Sequence, residues 1–170
     1  IFETDRLILR KYVEEDFDAL FEIVSDIETM QHYPAPFDED KQGIGLFGIW
    51  IIIKKYGFGL WAVVLKETHE MIGQCGLTLQ GWRDKEILEI GYLFQKSVLA
   101  KGYAAEAAIA CKEYAFKVLN ANTVYSIVRD TNTASQKVAV RNGMKIIDKD
   151  TKNFRYIDMD FFLYSAERTN

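Results

Sequence analysis

The stretch Glu89-Ile-Gly-Tyr-Leu-Phe-Gln95, continued by Lys96 to Leu99 and Ala100-Lys-Gly-Tyr-Ala-Ala-Glu106, decides the fold. Ile90, Tyr92 and Phe94 alternate with Gly91, Leu93 and Gln95, which predicts a strand. From Tyr103 to Leu119 the period lengthens. Ala104, Ala107, Ala108, Cys111, Ala115, Val118 and Leu119 recur three or four apart, the apolar stripe of a helix. Alanines favour that helix and let its backbone lie close to a neighbouring sheet.

The junction between strand and helix makes a chemical offer. The first turn of a helix carries N–H groups without partners inside the helix, and its dipole adds partial positive charge there. Gly102 lacks a Cβ, so an anion can approach the backbone, and Lys101 adds a full charge. This is a phosphate-binding pattern, although an ordinary strand-to-helix turn reads the same way. It is neither a Walker loop nor the dinucleotide G-x-G-x-x-G.

The rest of the composition narrows the class. The 170 residues suit one domain, with 49% apolar and 27% charged residues, as in a globular protein. A net charge of −4 argues against a broad nucleic-acid surface. Cys75 and Cys111 fall in apolar contexts and read as buried free thiols, which fits a reducing cytoplasm. No signal peptide is recognisable at the start. The most apolar run, Ile44 to Ile53, is too short to span a bilayer. No group of His, Cys and carboxylates has metal-ligand spacing, so no metal is expected.

In chain order, Thr4 to Tyr12 predicts a first strand. Glu14 to Val24 predicts an amphipathic helix with Phe17, Leu20, Phe21 and Val24 on its apolar face. Met30 to Phe37 holds both prolines and reads as loop; its Tyr33 is a candidate substrate contact or a cap on the core. His32 there has no visible partner, and His69 lies in a charged turn. Lys41 to Tyr56 predicts a second helix, weakened by Gly43, Gly45 and Gly48. Phe58 to Leu65 and Met71 to Gln80 predict a hairpin, followed by a turn carrying Trp82, either a lid on the core or a substrate wall. Beyond the central strand and helix, Asn122 to Val128 predicts the fifth strand. Asp130 to Asn142 predicts a short helix closed by Gly143, and Met144 to Asp148 and Phe154 to Tyr164 two final strands.

Four features occur in order: Arg6-Leu-Ile-Leu-Arg10, Glu89-Ile-Gly-Tyr92, Lys101-Gly-Tyr-Ala-Ala-Glu-Ala107, and Asn132-x-x-Ser135 with Arg141-Asn-Gly-Met144. Together they resemble the GNAT superfamily of acyl-CoA-dependent N-acetyltransferases, nearest its ribosomal-protein N-terminal branch. Leu99-Ala-Lys-Gly102-Tyr-Ala104 takes the place of its [Q/R]-x-x-G-x-[G/A] pyrophosphate motif, with Leu99 where the family has Gln or Arg. The resemblance implies a mixed α/β (α+β) GNAT fold, with a twisted, mostly antiparallel sheet of about seven strands and about four helices. Its fourth and fifth strands would splay apart.

It also implies acetyl-CoA as co-substrate and a primary amine as acceptor, either a protein N-terminus or a small molecule such as a polyamine or aminoglycoside. The same fold could also serve as a non-catalytic acyl-CoA sensor. The backbone of Tyr92, Leu93 and Phe94 would pair with the pantetheine arm. Ala100, Lys101, Gly102, Tyr103 and Ala104 would hold the pyrophosphate, and Asn132 would bond the arm or cap its helix. Glu89 would act as base, with Glu86 in reserve, or be a surface charge. Ser135 would protonate the leaving thiolate or contact the cofactor, with Tyr125 or Tyr103 as competing acids. A free N–H near Leu93 or Phe94 would polarise the thioester carbonyl. The expected assembly is a monomer or homodimer.

Overall fold

The computed structural model describes residues 2–26, 53–154 and 156–169. Tyr33 and the loop around it, His32, and most of the helix expected before Tyr56 lie outside the described residues; only residues 53–56 of that helix are seen, and they are helical.

Eight strands form one sheet. They are β1 (Phe2–Glu3), β2 (Leu7–Arg10), β3 (Leu60–Leu65), β4 (Met71–Trp82), β5 (Lys85–Phe94), β6 (Thr123–Arg129), β7 (Lys145–Phe154) and β8 (Ile157–Glu167). Three described helices accompany them: α1 (Phe17–Ser25), α2 (Tyr103–Lys117) and α3 (Thr133–Arg141). The sheet order is β1-β2-β3-β4-β5-β6-β8-β7. The expectation of about seven strands missed β1, which precedes the predicted first strand and, after a turn, pairs antiparallel with β2. Among the described residues no helix is long and apolar enough to cross a membrane.

The alternation read from sequence sorts the faces of the sheet. Trp61, Val63, Cys75, Leu77, Ile90 and Phe94 are buried against Ala107, Ala108, Cys111 and Ala115 of α2. Small alanines let the helix lie close, as its stripe predicted. Val118 departs from the stripe; it follows the last helical residue and is 61% exposed. Cys75 and Cys111 are buried free thiols with sulfurs 3.5 Å apart. On the opposite face α1 covers Ala62, Val64 and Met71 with Leu20 and Val24. Ile23, not Phe21, completes the buried set on α1.

One joint breaks the antiparallel pattern. β5 and β6 run parallel and share a single register pair, Glu89 with Tyr125. Every other neighbouring pair is antiparallel. Toward its C-terminal end β5 keeps β4 on one side, through Gly73 and Phe94, but has no ladder to β6 on the other. The sheet therefore opens there, between the strands expected to splay.

Candidate active site

The opening follows from how β5 presents its backbone. Successive residues of a strand turn their peptide groups to alternate edges. The carbonyl of Ile90 faces β6, where it accepts from the Ser126 hydroxyl at 2.9 Å. The next turn of the alternation places the amides of Tyr92 and Phe94 on that same free edge. The Leu93 carbonyl points the other way, against Gly73 of β4. Of the two amides expected to polarise a carbonyl, Phe94 therefore faces the gap and Leu93 does not.

A groove of about 440 Å³ occupies the gap. Tyr92, Leu93 and Phe94 form its floor, Val98 to Ala100 and Gly102 to Ala105 one bank, and α3 from Asn132 to Arg141 the other. Among these lining residues Lys137 and Arg141 are cations and none is a carboxylate. In a chain of net charge −4, that local excess of positive charge selects for an anion.

The first bank is a built cradle. Ala100 and Gly102 both take the left-handed conformation, with φ of 64° and 82°. Such reversals turn successive N–H groups toward one concavity. Gly102 is the N-cap of α2, and no side chain caps the helix. Arg6 braces the cradle from behind. Its guanidinium donates to the Lys101 carbonyl at 3.0 Å and to Glu106 at 2.8 Å, and lies 4.4 Å from the Tyr103 ring centre. Burial pushes the Glu106 carboxyl up, but bonds from Thr4 and Arg6 outweigh this and hold it below its ordinary range. The Lys101 side chain is exposed and not among the lining residues.

The second bank is tied to the floor. The Tyr92 hydroxyl donates to the Ser135 carbonyl at 3.0 Å and lies 2.7 Å from the Ser135 hydroxyl. Asn132 caps α3, its Oδ1 accepting from the Ser135 amide at 3.1 Å, which leaves its NH₂ group for other acceptors. Both of its expected roles are thus geometrically compatible. Replacing Asn132 with alanine is expected to cost about 1 kcal/mol of stability through the lost cap, read by chemical denaturation. Wild-type stability would show the cap to be dispensable.

Glu89 stands on the other face of β5, at the last pair before the opening. Its Oε2 accepts from the Ile127 amide at 2.7 Å. Enclosure between the strands pushes its pKa up from the ordinary 4.5 to about 7, only partly offset by the Ile127 N–H and by Lys152. A carboxyl titrating near neutral pH suits proton transfer. Tyr125 sits opposite Glu89 and packs in the cluster around Trp82. Glu86 is exposed at the start of β5, and His69 is exposed in its turn.

Trp82 is 4% exposed and lies among Ile87, Leu163, Tyr125 and Ile127, its indole donating to Asp148 at 2.8 Å. It does not line the groove. If Trp82 serves as a lid, Trp82→Phe is expected to lower stability by about 1–3 kcal/mol while the folded protein keeps its turnover; lost turnover at unchanged stability would support the substrate-wall role. Arg6, Lys137, Arg141 and the Tyr92 hydroxyl were not anticipated from sequence. The i, i+4 spacing of Lys137 and Arg141 on a helix beginning with Asn132 was the available signal.

Comparison with known proteins agrees with this geometry. Residues 6–145 match the sequence model of the acetyltransferase (GNAT) domain. The chain is 33% identical to the uncharacterized protein YkkB of Bacillus subtilis over 142 residues, 83% of each chain. It superposes on the crystal structure of a GNAT-family acetyltransferase from Bacillus anthracis with a TM-score of 0.82 and 25% identity, covering 97% of this chain and 96% of that one. Two more distant structures share the fold. RimL, a ribosomal L7/L12 α-N-protein acetyltransferase in complex with coenzyme A, gives a TM-score of 0.78 at 18% identity, covering 96% and 95%. A spermidine N-acetyltransferase from Vibrio cholerae, in complex with CoA and spermine, gives 0.77 at 17%, covering 96% of each chain.

Proposed function

The chain belongs to the acetyltransferase (GNAT) domain family, and from that premise we propose that it acetylates a primary amine by direct attack within a ternary complex, with a protein N-terminal α-amine as the acceptor. Acetyl-CoA is the co-substrate of this acyl-CoA-dependent enzyme class. The residues present fit it. The groove is lined by the β5 edge, the first turn of α2 and two cations without a carboxylate, and a Cβ on Gly102 would meet the Arg6 guanidinium at 3.3 Å. The observation that carries the proposal is the parted pair β5 and β6, joined by one register pair. It leaves a strand edge free beside an anion cradle.

Bound acetyl-CoA supplies a thioester carbonyl as the electrophile. The chain's own groups do the rest. The amides of Ala100 to Ala104 hold the diphosphate, with the exposed Lys101 ammonium adding charge nearby. The free edge at Tyr92 and Phe94 pairs with the amides of the arm, with Leu93 between them as floor. The Tyr92 N–H, the free-edge amide nearer Glu89, stabilises negative charge on the carbonyl oxygen, a contribution of roughly 3 kcal/mol for such a donor. Glu89 waits on the face opposite the groove and takes the proton of the incoming amine, directly or through one water. Ser135 gives a proton to the departing thiolate, and its contact with Tyr92 holds the hydroxyl in place. Asn132 directs its NH₂ group to the arm.

Matched acidities support that acceptor. An α-ammonium has a pKa of about 7.7–8.0 and a lysine ammonium about 10.4. A base near 7 removes a proton from the first with little loss and from the second only against a steep gradient. The test is thiol release from acetyl-CoA with a panel of peptides bearing free N-termini, polyamines and aminoglycosides. Fastest turnover on the peptides supports the proposal. Preference for spermidine, or no amine raising release above buffer while acetyl-CoA still binds, rejects it.

A further inference from the structure

We propose that Arg129 binds a carboxylate of the acceptor, placed close to the amine that reacts; in a peptide this is the side chain of an acidic first or second residue. The proposal rests on the acetyltransferase reading and narrows the acceptor class. Arg129 is the last residue of β6 and lies beyond the Glu89–Tyr125 pair, in the part of the joint that opens. Tyr125, Ile127 and Arg129 alternate with the buried Val124, Ser126 and Val128. Tyr125 and Ile127 pack around Trp82, whereas Val124 and Val128 join the core under α2, so Arg129 belongs to the Trp82 face. Its Nε is buried without a hydrogen-bond partner, and its guanidinium has no acidic partner among the described residues. Burying a charged donor unpaired is costly, which points to a ligand as the missing partner.

The same face holds the base. Glu89 Oε2 accepts from the Ile127 amide, two residues or roughly 7 Å along the strand from Arg129. Glu89 Oε1 makes no hydrogen bond among the described residues and turns toward Gly91. A Cβ on Gly91 would find nothing closer than that oxygen and Leu60, both at 3.9 Å. The hollow over Gly91 admits an amine beside Oε1, and a carboxylate a few bonds away then reaches Arg129 across the opened joint. Lys152 adds a second cation to this face. Its ammonium lies 5.4 Å from the Trp82 ring centre and 5.9 Å from that of Phe161, and its charge acts on Glu89. The neighbouring acids Asp148 and Asp150 are engaged by Arg83, at 2.7 and 3.8 Å. The remaining charge favours an anionic group and opposes a polyamine. A guanidinium meets a carboxylate with two parallel bonds.

The experiment measures kcat/KM by thiol release for two acid–amide pairs, in wild type, R129M and R129K. One pair is peptides alike except for Asp or Asn at the first or second position; the other is free alanine and alaninamide. Comparing each acid-to-amide ratio between wild type and variant cancels differences in amine acidity. Wild type is expected to favour the Asp peptide by about tenfold or more, mainly through KM. R129M should bring that ratio close to one, and R129K should restore part of it, because a point charge remains. A ratio that falls in R129M only for the alanine pair would keep Arg129 on a carboxylate and reject the peptide acceptor. Ratios that R129M leaves unchanged in both pairs would overturn the proposal, because a merely structural lesion lowers acid and amide alike. Thiol release raised by no amine in folded wild type would remove the transferase reading and this proposal with it.

Discussion

Replacing Gly102 with glutamate is expected to weaken CoA binding by about 100-fold or more while the protein remains folded. Three effects add. Gly102 sits at φ 82°, where an L side chain costs about 1–2 kcal/mol. Its Cβ would press on the Arg6 guanidinium at 3.3 Å and disturb the brace behind the cradle. The new carboxylate would stand among the amides that hold the diphosphate. Like charges about 4 Å apart repel by roughly 1–4 kcal/mol between bulk water and a protein surface. At the protein-surface end of that range the repulsion alone exceeds the roughly 2.7 kcal/mol that corresponds to 100-fold. Calorimetry with CoA reads the affinity and circular dichroism the fold. Unchanged affinity in a folded variant would remove the cradle from the account.

Glu89→Gln is expected to lower turnover at pH 7 by about 100-fold or more, the usual contribution of a positioned base, with CoA affinity kept. The pH dependence gives a sharper reading. Glu89 is protonated below about pH 7 and ionised above it, and only the ionised form accepts a proton. In wild type, kcat/KM should therefore climb with pH through about 7 and then level. Without the carboxylate, the climb should follow the acceptor's own ionisation, near pH 8 for an α-amine. The glutamine is nearly the same size and lies part-buried beside Ile127, so folding is spared. An unshifted profile would reject Glu89 as base and leave it the role of tying β5 to β6.

The parts of the fold legible in the sequence were those set by short-range patterns. The period changes at Tyr103, and α2 begins at that residue. Asn132 and Gly143 bracket α3 within a residue or two. What escaped depended on partners distant in the chain. Phe2–Glu3 is a strand only because it pairs with Ile8 and Leu9. β7 runs to Phe154, well past Asp148, because β8 supplies its ladder. Polar residues such as Lys149 and Lys152 gave no apolar alternation there to read.

The site divides in the same way. The cradle was visible because its glycine, its helix start and its strand are consecutive. Arg6 was invisible as a brace, since its partners Lys101 and Glu106 lie about a hundred residues away. Lys101 was given a place in the groove by its position in the motif, but alternating left-handed turns carry its side chain outward while Lys137 and Arg141 enter from the other bank. The burial of Trp82 was not legible, because its neighbours Asp148 and Leu163 lie far along the chain.

A crystal of this protein grown with CoA tests the central claim most directly. The account predicts density for the diphosphate against the amides of Ala100 to Ala104, with the arm running along Phe94 and Tyr92 into the gap beside β6. Coenzyme bound elsewhere, or a mouth of α2 filled by side chains with no phosphate in it, would contradict the account.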